Sequence, residues 1–161
     1  MARSVETDPY HSFRFHIVDP AGGNLDPVAG FMSVSMPNVA VEEAPYREGT
    51  FQWTQKYPGI PAVGDVTMTK GIFKRNSDFF NWVLKVINGG QDYRTELIVQ
   101  EYHISDEFGI NGSPSRITRL QEVWGKDVKP SDDHDASASN ISVAALTVSV
   151  EKIEVELVPT T

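Results

Sequence analysis

The chain has 161 residues, enough for one domain with a substantial core. It contains no cysteine, so disulfide scaffolding and thiolate chemistry are both excluded. With 22 acidic residues against 14 basic ones the net charge is -8, which argues against a nucleic-acid-binding surface while leaving open a channel that nucleic acid merely passes through.

The opening residues hold no apolar stretch of signal-peptide type, and no apolar run reaches membrane-spanning length. The chain is therefore expected to be made in the cytoplasm and to leave it only by lysis or through a dedicated machine. Asn111-Gly112-Ser113 and Asn140-Ile141-Ser142 match the glycosylation acceptor pattern, which carries little weight without a secretory signal.

Residues 13–18 alternate weakly and read as a first strand, followed by a turn at Asp19-Pro20-Ala21-Gly22-Gly23-Asn24. Residues 28–36 form a second candidate, closed by Pro37, which has no ladder donor to offer. Residues 39–61 are a long excursion. It rises like a strand, breaks at Pro45-Tyr46-Arg47-Glu48-Gly49-Thr50, and returns through residues 51–57 with Phe51, Trp53, Gln55 and Tyr57 on one side. Pro58-Gly59-Ile60-Pro61 reads as a rigid turn. The excursion is either an internal edge or a hairpin that leaves the body. Its aromatic residues would be awkward in water and sensible inside a neighbouring subunit.

Residues 63–71 predict a strand with Val66 and Met68 on one face. A helix follows over residues 77–87, capped by Asn76 or Ser77 and stopped by Asn88-Gly89-Gly90. Phe79, Trp82, Val83 and Val86 make its apolar stripe, and Phe80, Leu84 and Ile87 widen it beyond what one sheet face needs. Residues 95–103 and 116–124 predict two more strands. Residues 131–140 read as an exposed acidic loop. In residues 141–158 the apolar parity switches near Val150-Glu151, which predicts a bulge or a bend from one sheet face to another.

Sites for chemistry are sparse. His11, His16, His103 and His134 are dispersed, and His134 among Asp132, Asp133 and Asp135 misses the calcium-loop spacing. Glu101 and His103 share a strand face and could form a hydrogen-bonded pair, but no nucleophile or oxyanion loop accompanies them. No phosphate-binding glycine motif occurs. No catalytic residue, cofactor or metal site is expected, and the chain does not read as an enzyme. Trp53 and Trp124 could line a sugar-binding face, while Trp82 belongs to the helix stripe.

Several phrases, in order, resemble the tail tube proteins of contractile phage tails and of phage-like contractile injection systems. They are Gly30-Phe31-Met32-Ser33-Val34, Glu43-Ala44-Pro45-Tyr46-Arg47-Glu48-Gly49, Lys56-Tyr57-Pro58-Gly59, Val66-Thr67-Met68-Thr69-Lys70-Gly71 with the helix behind it, Val123-Trp124 with Val128-Lys129-Pro130, and residues 145–151. The chain departs from the pattern at Ser35-Met36-Pro37-Asn38 and at Tyr57. It also continues past the last family strand, through residues 154–161.

The resemblance implies one tail-tube domain over residues 1–161. It would be mainly β (α+β), with two roughly orthogonal antiparallel sheets in a barrel-like sandwich, one flanking helix, and a long hairpin at about residues 39–61. It implies a homo-hexameric ring stacked into a hollow tube, a surrounding sheath protein, baseplate and terminal tube or cap proteins, and a toxin protein or DNA as cargo in the lumen. Neither membrane nor sequence-specific nucleic-acid binding is implied. The particle would assemble in the cytoplasm and be released on lysis. Candidate intersubunit contacts are Tyr46, Arg47, Glu48, Phe51, Trp53, Lys56 and Tyr57 in the hairpin, Lys70, Lys74 and Arg75 near the helix, and Asp132 and Asp133 in the acidic loop. Surplus carboxylates would either line the lumen or simply solvate the surface. The alternatives are the related secreted ring protein of contractile secretion systems and a monomeric carbohydrate-binding β-sandwich.

Overall fold

The computed structural model describes residues 8–20, 30–72, 78–107, 112–137 and 139–158. Its elements are β1 (Phe15–Val18), β2 (Phe31–Val34), β3 (Val39–Tyr46), β4 (Gln55–Val63), β5 (Val66–Gly71), α1 (Asp78–Ile87), β6 (Thr95–Glu101), β7 (Arg116–Lys129), β8 (Val143–Ser149) and β9 (Lys152–Leu157). The expected turn at Gly22-Gly23 and the cap at Asn76 or Ser77 lie outside the described residues.

β7 organises the body. Over residues 116–123 it pairs with β6 along one edge, and along the other it pairs with β9 and then β8, all antiparallel. Two four-stranded layers therefore share it: β1-β6-β7-β9 and β7-β8-β5-β2. The layers meet at Glu122, whose φ of 54° is the one positive value at a non-glycine among the described residues. The register against β6 slips there, between Thr95 and Leu97. One extra residue on β7 reverses which parity faces inward. Before the bulge Thr118 and Leu120 are buried; after it Val123 and Gly125 are. The alternation of β7 is therefore broken at this point, with Thr118 buried and Ile117 half-buried. Arg94 fastens the corner, with Nη1 2.7 Å from Glu151 and 3.3 Å from Glu122.

The expected break at Val150-Glu151 is found opposite the same bulge. β8 and β9 are one course of chain interrupted there, still facing β7, with Glu151 N–H donating to Gln121 O at 3.3 Å. Residues through Leu157 thus belong to the sheet, paired in register with Arg116.

The path is open. β1 and β2 end it, and among the described residues no closed sheet is formed.

The core lies between the two layers and α1. Ile17, Val66, Met68, Leu97, Val99, Leu120, Val123, Leu146 and Val148 come from the strands, and Phe79, Trp82 and Val83 from the helix. The helix sits close because Gly125 has no side chain: a Cβ there would meet Val83 Cγ2 at 2.9 Å. Trp82 Nε1 donates to Tyr93 O at 3.0 Å, so its indole is both buried and satisfied. Gly89, at φ 68°, ends the helix, and Gly90 N–H donates to Lys85 O at 3.0 Å. Phe79, Trp82 and Val83 of the helix are buried, and Leu84 and Val86 are half-buried. Phe80 and Ile87 remain exposed.

Candidate functional site

β3 and β4 form a two-stranded sheet of their own, separate from the body. Every residue of β3 is exposed, and in β4 only Gln55, Gly59 and Val63 are half-buried. The eight residues of β3 span about 27 Å at about 3.4 Å each, long enough to carry the tip well clear of the body. The arm grows out of the paired strands β2 and β5, and its root is tied by Gly64 N–H donating to Asn38 O at 2.9 Å.

Two details of the arm differ from the sequence reading. Phe51 and Trp53 lie in the tip between the strands, because the returning strand begins only at Gln55. Pro58 and Pro61 lie inside β4, where a rigid turn was expected. A register shift between Val41 and Glu43 accommodates them, with Pro61 opposite Val41 and Pro58 opposite Glu43. Gly59 makes that close approach possible, since a Cβ there would come within 2.8 Å of Glu42 O.

The arm is clad in apolar groups that its own chain does not cover. Trp53 is 77% exposed and Ile60 75%, and Val39, Val41, Tyr46, Phe51 and Tyr57 are each more than half exposed. Tyr46 and Tyr57 meet edge to face across the strands at 6.5 Å. Lys56 pairs with Glu43 at 2.7 Å, and Tyr46 Oη donates to Glu48 at 3.3 Å. Arg47 and Glu48 stand exposed at the start of the tip. A two-stranded ribbon is marginal in water by itself.

The other candidate residues fall elsewhere. Lys70 is buried at the end of β5 with Nζ 4.3 Å from the centre of the Phe79 ring, so it serves the core and does not reach the surface. Lys74 and Arg75 lie outside the described residues. Asp132 and Asp133 each stand 3.5 Å from Lys129 Nζ beside an open depression of about 600 Å³. His134 and Asp135 also line that depression, and Asp135 is held below the usual carboxylate range by hydrogen bonds from the Ser137 backbone and hydroxyl. Among the described residues no group of three or more His, Cys, Asp or Glu side chains is placed to hold a metal ion.

Glu101 and His103 do not pair. Glu101 faces Arg116 at 3.3 Å, while the His103 ring is taken up at both nitrogens, with Nε2 2.8 Å from Asp8 O and Nδ1 2.7 Å from Ser105 Oγ. That ring clamps the segment before β1 against the loop after β6. Nor do the tryptophans form a platform, since Trp53 is at the arm tip and Trp124 is in β7.

Sequence reasoning did not single out the open edges of the two layers. β9 presents Val155 and Leu157, the latter 71% exposed, on the inward side of its layer but beyond the core. Their alternation with Lys152, Glu154 and Glu156 was visible in the sequence. Their position at an edge was not.

The model of the T4-like virus tail tube protein gp19 family matches residues 10–154. The chain belongs to that family. A tail tube protein is a structural subunit of the inner tube of a contractile tail or injection machine, and this one is therefore not an enzyme. No curated protein matches it in sequence.

Among solved structures, the tube-terminating cap of the anti-feeding prophage is similar at a TM-score of 0.77 and 18% identity, over 98% of this chain and 95% of that one. The extended sheath-tube complex of the PVC extracellular contractile injection system gives 0.75 at 20% identity, over 96% and 95%. Hcp1 from Salmonella typhimurium gives 0.52 at 13%, over 89% and 85%. At these identities the likeness concerns the fold.

Proposed function

We propose that six copies of this tail tube subunit close into a ring, that rings stack into a hollow tube, and that the β3–β4 arm reaches into the adjacent ring. The observation that carries this is the arm itself: a detached ribbon, exposed on both faces and rich in Tyr, Phe and Trp, on a body whose own core is complete. Tyr46, Phe51, Trp53 and Tyr57 are the anchors, and Arg47 and Glu48 set the register between rings. Barrel-like closure belongs to the ring, where layers joined edge to edge cover the strands that one chain leaves open.

A sheath protein surrounds the tube, baseplate and cap proteins bound its ends, and a toxin protein or DNA travels in the lumen when the sheath shortens. The stronger likeness to the injection-system structures, 0.77 and 0.75 against 0.52 for Hcp1, supports this reading. Negative-stain electron microscopy of the purified chain, alone and with its baseplate partners, tests it. Rings and tubes with a central pore are expected, and a protein that stays monomeric even with those partners overturns the reading.

A further inference from the structure

Two apolar patches of the body find no cover within one chain. One lies on the edge strand β9, where Val155 is 53% exposed and Leu157 71%. Both share the inward side with Ile153, which packs against the core, because the register sets Ile153 opposite Leu120, Val155 opposite Thr118 and Leu157 opposite Arg116. The core ends before it reaches them. The other patch lies on α1. Phe80, Leu84 and Ile87 follow one another at the four- and three-residue spacings that align side chains in a stripe along a helix. Phe80 and Ile87 are exposed and Leu84 is half-buried.

The patches sit on opposite flanks of the subunit. β9 pairs with the edge of β7 that also carries β8, and β5 and β2 follow on that side. The helix begins over the far strand, with Phe79 stacked on Phe31 of β2 at 6.0 Å, and crosses to β7, where Val83 lies against Gly125. Ile87 stands one turn further on, about 6 Å along the axis at about 1.5 Å per residue. It therefore lies toward the free edge of β7 at residues 124–129, away from β9.

We infer that in the assembled ring the β9 patch of one subunit packs on the Phe80–Leu84–Ile87 stripe of its neighbour. This pairing rests on the tube reading. A ring closed by rotation joins two different surfaces of one chain, one from each flank, and this chain offers an uncovered apolar patch on each. Edge-to-edge joining of the layers acts on the same two flanks: β2 stands on the β9 side, and residues 124–129 of β7 on the helix side. A neighbour brought up by one contact is in place for the other. The rim charges have opposite sign, with Lys85 beside the stripe and Glu154 and Glu156 on β9. The helix then has two partners, its own core through Phe79, Trp82 and Val83 and the next subunit through the stripe. That accounts for an apolar surface wider than one sheet face needs.

The absence of cysteine makes a direct test clean. Ile87→Cys and Leu157→Cys are introduced singly and together, with Phe80→Cys and Val155→Cys as a second pair. Tubes verified by microscopy are then treated with a short bismaleimide. The expected result on a denaturing gel is a ladder of covalent multimers ending at the ring size for the double variants, and monomer for every single one. Intact tubes in which neither double variant cross-links would overturn the inference. Cross-linking of a single variant would set a patch against its own copy and overturn it equally. So would multimers longer than a ring, which would place the contact between rings. If the unmodified chain forms no rings or tubes with its partners, the tube reading itself falls, a result that the micrographs separate from the others.

Discussion

The body and the arm are built from similar strand residues and solve opposite problems. In β5, β6 and β8 apolar side chains alternate inward, and Val66, Leu97, Leu146 and Val148 are completely buried. In β3 and β4 comparable residues, Val39, Val41, Tyr57 and Ile60, stand in water on a ribbon that meets the core only at Val63 among the described residues. The difference teaches where each part draws its stability. Body burial is internal to one chain, whereas the apolar residues of the arm find no cover there, in keeping with the proposal that they are buried on assembly.

The sharpest way to break this comparison is to remove the arm. Deleting residues 41–55 takes away the tip and most of β3 but none of the buried core. The deleted chain is expected to keep its circular dichroism and a cooperative unfolding transition while losing tube formation altogether. Long tubes from the deleted protein would end the arm hypothesis. The next largest effect belongs to the body. Leu146→Ala opens a cavity beneath α1 and should lower unfolding stability by about 2–5 kcal/mol in a denaturant titration. Trp53→Ala should do the reverse. The monomer should change by no more than about 0.5 kcal/mol, since the indole is exposed. Assembly should weaken by about 2 kcal/mol, read as a rise in the concentration at which tubes appear. Equal effects of both substitutions on the monomer would erase the distinction between the two regions.

The sequence made most of the body legible because strict alternation and a helical stripe are local signals. Val66 and Met68, Leu97 and Val99, and the Phe79–Trp82–Val83 stripe are buried as their spacing requires. It also marked the arm as an excursion with aromatic residues. What it could not carry were features that depend on two distant segments meeting. The break at Val150-Glu151 was legible as a parity switch, but the bulge at Glu122 that it answers exists against β6, and neither composition nor periodicity says that one strand serves two layers. Lys70 misled for a related reason. A lysine on an alternating strand near a helix looks like a surface charge, but its parity is that of Val66 and Met68, and Phe79 receives its ammonium. The prolines of β4 misled because proline signals a turn unless a register shift lets it sit in a ribbon.

The smallest effect expected comes from pH, and it probes the body alone. Tyr102 is buried just past β6, its Oη donates to Gln100 at 3.1 Å, and its backbone N–H is held by Arg14 O at 3.0 Å. Burial first, and then the negative charge of Asp106, hold its phenol above the ordinary tyrosine range. The folded state therefore keeps the proton that the unfolded chain gives up at about pH 10. Stability from this group is fully present below that pH and is lost as pH rises from there through the folded value. Unfolding midpoints measured from pH 9 upward should fall, and Tyr102→Phe should flatten that part of the profile at a neutral-pH cost of about 0.5–1.5 kcal/mol for the lost hydrogen bond. Removing the arm should leave this alkaline slope intact. A slope that vanished with residues 41–55 would mean that the arm and body share more of their stability than their separate sheets imply.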